Sequence, residues 1–101
     1  MMMPVDLPLA DIARLCRDYG VSELALFGSV ARGEAGPDSD IDFLYVLSDP
    51  TIGIRFFEFH HRLAELLGRD ADQVDLVPKN YLHRMLREPV LAEARLVYAA
   101  A

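Results

Sequence analysis

Leu26-Phe-Gly-Ser-Val-Ala-Arg-Gly-Glu-Ala-Gly-Pro-Asp-Ser-Asp-Ile-Asp-Phe-Leu-Tyr-Val46 is the stretch on which the reading of the whole chain turns. It joins a Gly28-Ser29 pair, where an apolar run gives way to a helix start, to two aspartates, Asp40 and Asp42, at the start of the next apolar run. Strand side chains alternate, so Asp40 and Asp42 project to one face with their Cα atoms roughly 6.5 to 7 Å apart, while Ile41 and Phe43 point to the opposite, buried face. A single register thus accounts for both the acids and the hydrophobes. On the other side of the stretch, Gly28 lets backbone approach a phosphate closely, and the amides that open the following helix face an anion. Ser29 adds a hydroxyl donor. Arg32 reaches either a phosphate or the carboxylates of Glu34 and Asp38.

Working outward, Ser22 to Phe27 is a short apolar run bounded by Gly20 and Gly28, as expected for a central strand buried on both faces. Ser29 to Arg32 begins a short helix, Gly33 to Ser39 forms a turn-rich loop, and Ile41 to Leu47 is a second strand ended by Ser48, Asp49 and Pro50. Before them, Leu9, Ile12, Leu15, Cys16 and Tyr19 recur at helical spacing, which predicts a first helix from Asp6 to Tyr19, with Asp6 as N-cap, Pro8 in the first turn and Gly20 as the stop. Cys16 falls on the apolar stripe and reads as a buried, inert thiol.

After the second strand, Phe56, Phe59, Leu63, Leu66 and Leu67 place a helix over Ile54 to Leu67, capped by Gly68. His60 and His61 are adjacent in it and point in different directions, so they do not chelate one metal together. Phe57 lies off the apolar stripe and is a candidate partner-facing aromatic. Gln73 to Val77 is a third strand, Asn80 to Arg87 a fourth helix closed by Pro89, and Arg95 to Ala99 fits a last short strand. The order α-β-α-β-α-β-α, with that terminal strand, predicts an α/β fold in which helices cover a mixed sheet, as one domain over residues 1–101.

Composition agrees with this. Hydrophobic residues make up 52% and charged residues 26% of 101 residues, and no long uncharged apolar run is present, so a soluble cytosolic domain is expected. Met1 to Met3 do not open a signal peptide, because charges appear at Asp6 and Asp11 before any apolar segment. The single cysteine has no internal disulfide partner, which fits a reducing compartment. A formal charge of −6 opposes nonspecific nucleic-acid binding, which needs a basic footprint.

The acids explain themselves better as ligands. Asp75 sits between Val74 and Leu76 in a strand, and with Asp40 and Asp42 it makes three carboxylates in apolar strand contexts. Like charges at about 4 Å cost on the order of 4 kcal/mol at an effective dielectric near 20, so three of them call for a cation. Magnesium, a hard ion that takes a few carboxylates plus phosphate oxygens, is the expected one. A Walker A loop is excluded because no lysine precedes Lys79, and Gly28, Gly33 and Gly36 lack the spacing of a dinucleotide fold.

Gly28-Ser29 followed by Ala31-Arg32-Gly33, then Ser39-Asp40-Ile41-Asp42, then Asp75 in Val-Asp-Leu-Val, resembles the nucleotidyltransferase superfamily related to the palm of polymerase beta. The brevity of the chain and the opening Leu-Phe-Gly-Ser are similar to the minimal nucleotidyltransferases, the MNT-domain antitoxins paired with HEPN-domain toxins. The resemblance implies that Gly28 and Ser29 hold a nucleoside triphosphate, that Asp40 and Asp42 bind metal, and that Asp75 completes the metal site and helps deprotonate the acceptor. It further implies transfer of AMP from ATP, with magnesium as cofactor, to a tyrosine hydroxyl of a partner HEPN-type RNase toxin. Two other functions compete: an antitoxin acting only by stoichiometric binding of its partner, and an aminoglycoside-type nucleotidyltransferase subunit. The second is disfavoured because a chain this short leaves no room for a domain that holds the small acceptor.

Overall fold

A computed structural model describes residues 7–28, 40–79 and 94–100 of the chain. The first helix, α1 (Leu9–Tyr19), buries Ile12, Leu15, Cys16 and Tyr19 and ends at Gly20, whose φ of 73° lets its N–H reach the Cys16 carbonyl. Glycine takes that left-handed conformation without a Cβ penalty. The expected N-cap, Asp6, lies outside the described residues. Pro8, expected within the first turn, instead occupies the N-cap position with φ −77° and ψ 74°. A proline loses nothing there, since the N-cap contributes its carbonyl, and that of Pro8 accepts the Ile12 N–H at 3.0 Å.

Strands β1 (Val21–Phe27), β2 (Ile41–Leu47), β3 (Val74–Pro78) and β4 (Arg95–Ala99) form one sheet in the order β3-β2-β1-β4. β1 runs antiparallel to both neighbours, whereas β2 and β3 are parallel. The expected mixed sheet is therefore present, with the apolar β1 run in a central place. Parallel neighbours need a crossover, and α2 (Arg55–Leu67) lies between β2 and β3 in the chain. It ends at Gly68, φ 68°, whose N–H bonds the Ala64 and Glu65 carbonyls. β3 begins one residue later than expected because Ala71–Gln73 form a 3-10 turn, closed by reciprocal bonds between Asp70 and Gln73. The expected helix start at Ser29 to Arg32, the loop from Gly33 to Ser39 and the helix over Asn80 to Arg87 fall outside the described residues.

Both described helices cover one face of the sheet. Leu24 and Leu26 of β1, Ile41 and Phe43 of β2 and Val74 of β3 pack with Ile12, Leu15, Cys16 and Tyr19 of α1 and with Phe59, Leu63 and Ala64 of α2. Phe43, Phe59, Leu63, Leu24, Leu26 and Ile12 are fully buried. A run of rings joins Tyr19 to Phe59 at 6.0 Å, Phe59 to Phe56 at 5.8 Å and Phe56 to Tyr45 at 4.7 Å between centroids. Alternation then decides where the chemistry sits. With Ile41 and Phe43 committed to the helices, Asp42 and Leu44 belong to the opposite face, together with their strand partners Phe27, Ala25, Asp75 and Val77.

Candidate metal-nucleotide site

Asp42 is the second residue of β2 and lies between Phe27 of β1 and Asp75 of β3, its Cα partners on either side. Adjacent strands are about 4.8 Å apart, so the register by itself forces the two carboxylates together. Asp40 directly precedes β2 and is exposed, as is Asp75, while Asp42 is half-buried. The Asp42 carboxyl is pushed up from 3.8 to about 6, first by burial, then by its hydrogen bond with Asp75, then by the negative charges of Asp75 and Asp40. A hydrogen bond between two carboxyl groups requires a proton, so their contact, together with burial, favours the neutral form of Asp42.

Gly28 follows β1 with φ +77°. A Cβ added there would lie 2.6 Å from Oδ2 of Asp42 and 3.5 Å from its Cγ. The absence of a side chain at position 28 therefore leaves room for the Asp42 carboxylate, a role the sequence did not disclose beside that of phosphate approach. Ser29 and Arg32, the other expected nucleotide contacts, lie outside the described residues.

Asp42 and Asp75 are thus brought into contact and Asp40 stands beside them, although among the described residues no three His, Cys, Asp or Glu side chains converge into a ready cage. The donor set fits magnesium. All three groups are hard carboxylate oxygens, and the burial and neighbouring negative charge that raise Asp42 are what a bound cation relieves.

The same face carries an ion pair that sequence reasoning missed. Lys79, the only lysine in the chain, places Nζ 2.6 Å from Oε2 of Glu23. Glu23 belongs to β1 and Lys79 follows β3, so the pair bridges over β2. The signal was Glu23 itself, a charge inside an apolar run two residues from Ala25 and four from Phe27.

Residues set aside as chemically inert behave so. Cys16 is completely buried, and its thiol is pushed up to about 12 mainly by that burial, against the opposing charge of Arg17. His60 Nε2 lies 2.6 Å from the Val74 carbonyl and ties α2 to β3, and its ring is 6.0 Å from that of His61. Phe57 is 66% exposed. No described helix is long and apolar enough to cross a membrane.

The fold has counterparts among known proteins. The family model described as a nucleotidyltransferase domain matches residues 12–98. Over 75 residues, covering 74% of this chain and 73% of the relative, the sequence is 40% identical to protein adenylyltransferase MntA of Thermococcus cleftensis. In structure it is similar to a chain in a crystal structure of a toxin-antitoxin with AMP-PNP, with a TM-score of 0.69 and 28% identity over 93% of this chain and 75% of that one. It is also similar to a chain in a complex of the tri-AMPylated Shewanella oneidensis HEPN toxin with its MNT antitoxin, with a TM-score of 0.59, 26% identity, and coverage of 91% and 70%.

Proposed function

The chain belongs to the nucleotidyltransferase domain family, and from that premise we propose that it transfers AMP from ATP, in the presence of magnesium, to a hydroxyl group on a partner protein, a HEPN-type toxin, in the cytosol. The observation that carries the reading is the in-register pairing of Asp42 with Asp75, flanked by Asp40 and faced by a side-chain-free Gly28. The names of its relatives, a protein adenylyltransferase and antitoxins in complex with toxins, support the acceptor class.

Asp40, Asp42 and Asp75 hold the metal, which when bound neutralises phosphate charge and lowers the pKa of the attacking hydroxyl. The chain's own residues divide the remaining work. Gly28 lets the backbone approach the triphosphate, to which Ser29 contributes a hydroxyl donor and Arg32 a guanidinium. As the acceptor oxygen bonds to the α-phosphorus, the bond to pyrophosphate breaks and the hydroxyl proton passes to Asp75, the exposed member of the carboxylate pair. Metal binding requires Asp42 to give up its proton, so activity rises with pH as that carboxyl ionises.

The test is to incubate the HEPN-domain partner with a substoichiometric amount of this protein, labelled ATP and magnesium. Label on the partner, and inactivation that outlasts removal of this protein, is expected. Protection only at a one-to-one ratio, unchanged in an Asp75→Asn variant, would replace transfer by stoichiometric binding.

A further inference from the structure

β3 is the last strand of the described sheet and is held within it by its parallel pairing with β2. That ladder opens with Ile41 and Val74, and its second rung is Asp42 and Asp75. The carboxylate pair therefore sits near the end of the ladder, where strands fray most readily. The negative charge of Asp75 also acts on Asp42 across the rung, so repulsion works to part the two strands where their alignment matters. Val74 is held against this from outside the ladder. Its N–H bonds the Ala71 carbonyl, and its own carbonyl accepts a hydrogen bond of 2.6 Å from Nε2 of His60. A carbonyl only accepts, so Nε2 carries a hydrogen. His60 in turn rides on a well-seated helix, since Phe59 and Leu63 beside it on α2 are fully buried in the core.

The oxygen that His60 holds belongs to the peptide plane of Asp75. The carbonyl of Val74 shares one rigid plane with the nitrogen and Cα of Asp75, so fixing that oxygen fixes the direction in which the Asp75 side chain leaves the strand. Burial of the Val74 side chain, 1% exposed, anchors the strand in depth but does not set the tilt of this plane. Resting on the nucleotidyl-transfer reading above, we propose that His60 is a positioning residue for that reaction: its hydrogen bond to Val74 fixes the Asp75 carboxylate against Asp42. His60 does no chemistry itself, because α2 covers one face of the sheet and the carboxylates stand on the other. Packing alone does not call for an imidazole here. Position 60 lies beside buried Leu63 and Ala64 on the same side of the helix, where an apolar side chain would pack as well, and only a donor can hold the Val74 oxygen.

Two substitutions in the full chain test the assignment. His60→Phe keeps a ring on the helix and removes the donor, whereas His60→Gln supplies an amide that donates from a similar reach. With the HEPN-domain partner, ATP and magnesium, His60→Phe is expected to lower kcat about tenfold or more with little change in the KM for ATP, the scale on which outer partners of a metal site act. Manganese affinity, measured without nucleotide or partner, should fall about tenfold as well, and the Asp75 amide signal should move in the NMR spectrum. His60→Gln should bring kcat, manganese affinity and the Asp75 signal back toward the parent, and both variants should melt close to it. Should His60→Phe not fold, the smaller His60→Leu, which also lacks the donor, is read in its place. Parent-like kcat and manganese affinity without the donor would overturn the assignment and leave the nucleotidyl-transfer reading standing. Equal losses in both variants, following their melting temperatures, would overturn it too, because His60 would then only stabilise the fold. A parent protein that labels no partner and binds no manganese would instead remove the nucleotidyl-transfer reading, and the role of His60 with it.

Discussion

Gly28 and Asp42 are fitted to one another: the position where a Cβ would stand at residue 28 is 2.6 Å from Oδ2 of Asp42. The contact follows from the antiparallel register in which Phe27 partners Asp42, which carries the residue after Phe27 past the carboxylate. Gly28 thus meets two demands, a positive φ and clearance for a metal ligand.

Gly28→Ala should therefore damage the site beyond its effect on the backbone. The left-handed conformation alone costs an alanine about 1 to 2 kcal/mol, and the added methyl must also displace the Asp42 carboxylate. Manganese binding, followed by its paramagnetic effect on water protons, is expected to weaken about tenfold or more, as when a metal site loses its geometry. A variant with a lowered melting temperature and parent-like manganese affinity would show that only the φ angle matters.

The raised carboxyl of Asp42 predicts a pH-dependent stability. Its carboxyl titrates near 3.8 when unperturbed and at about 6 in the fold. Because the folded value is raised, its contribution to stability is fully present below pH 3.8 and is lost as pH rises through about 6. Without divalent ions, Asp42→Asn should be more stable than the parent at pH 7.5, by about 1 kcal/mol once solvent screening is allowed for. The difference should vanish near pH 4, and magnesium should stabilise the parent more than the variant. Thermal melts at the two pH values check the sign, and a variant less stable than the parent at pH 7.5 would contradict it.

What the sequence disclosed and what it withheld follow from the range of the forces involved. β2 and β4 were legible to the residue because each is an uninterrupted strand-forming run with clear stops. Asp40 and Asp42 were legible through alternation within one strand. Several boundaries moved by a residue or more: Pro8 went from the first turn to the cap, β1 begins early at Val21, α2 begins at Arg55 with Ile54 as its N-cap, and the Asp70 and Gln73 bonds delay β3, which runs on to Pro78. The opposition of Asp42 and Asp75, the clearance at Gly28 and the Glu23–Lys79 bridge all depend on register between strands distant in sequence. No local pattern encodes the order β3-β2-β1-β4, so these contacts became visible only in the fold.

Cys16 offers a test of the packing between α1 and the sheet. Its side chain is buried in the core with Ile12 and Phe59, and its thiol is held up to about 12. At pH 8 a thiol reagent such as DTNB should react with the native protein only through opening of the structure, and at the ordinary rate once denaturant is added. Prompt stoichiometric labelling of the native chain would place Cys16 outside the core.

The final prediction separates the three carboxylates by role. Asp75 is exposed whereas Asp42 is half-buried, so Asp75 is the carboxylate an incoming hydroxyl can reach. Asp75→Asn should lower kcat by about 10² to 10⁴, the range for a general base, with a small change in the KM for ATP. Asp40→Asn and Asp42→Asn remove charge from the metal side, so they should also raise the magnesium concentration needed for half-maximal rate. All three replacements keep the shape of the side chain, and circular dichroism should be nearly unchanged. The distinguishing measurement is the magnesium titration of each variant at saturating ATP. If Asp75→Asn recovered its rate with added magnesium as fully as Asp42→Asn, Asp75 would be a metal ligand alone, and the proton would have to leave by another route.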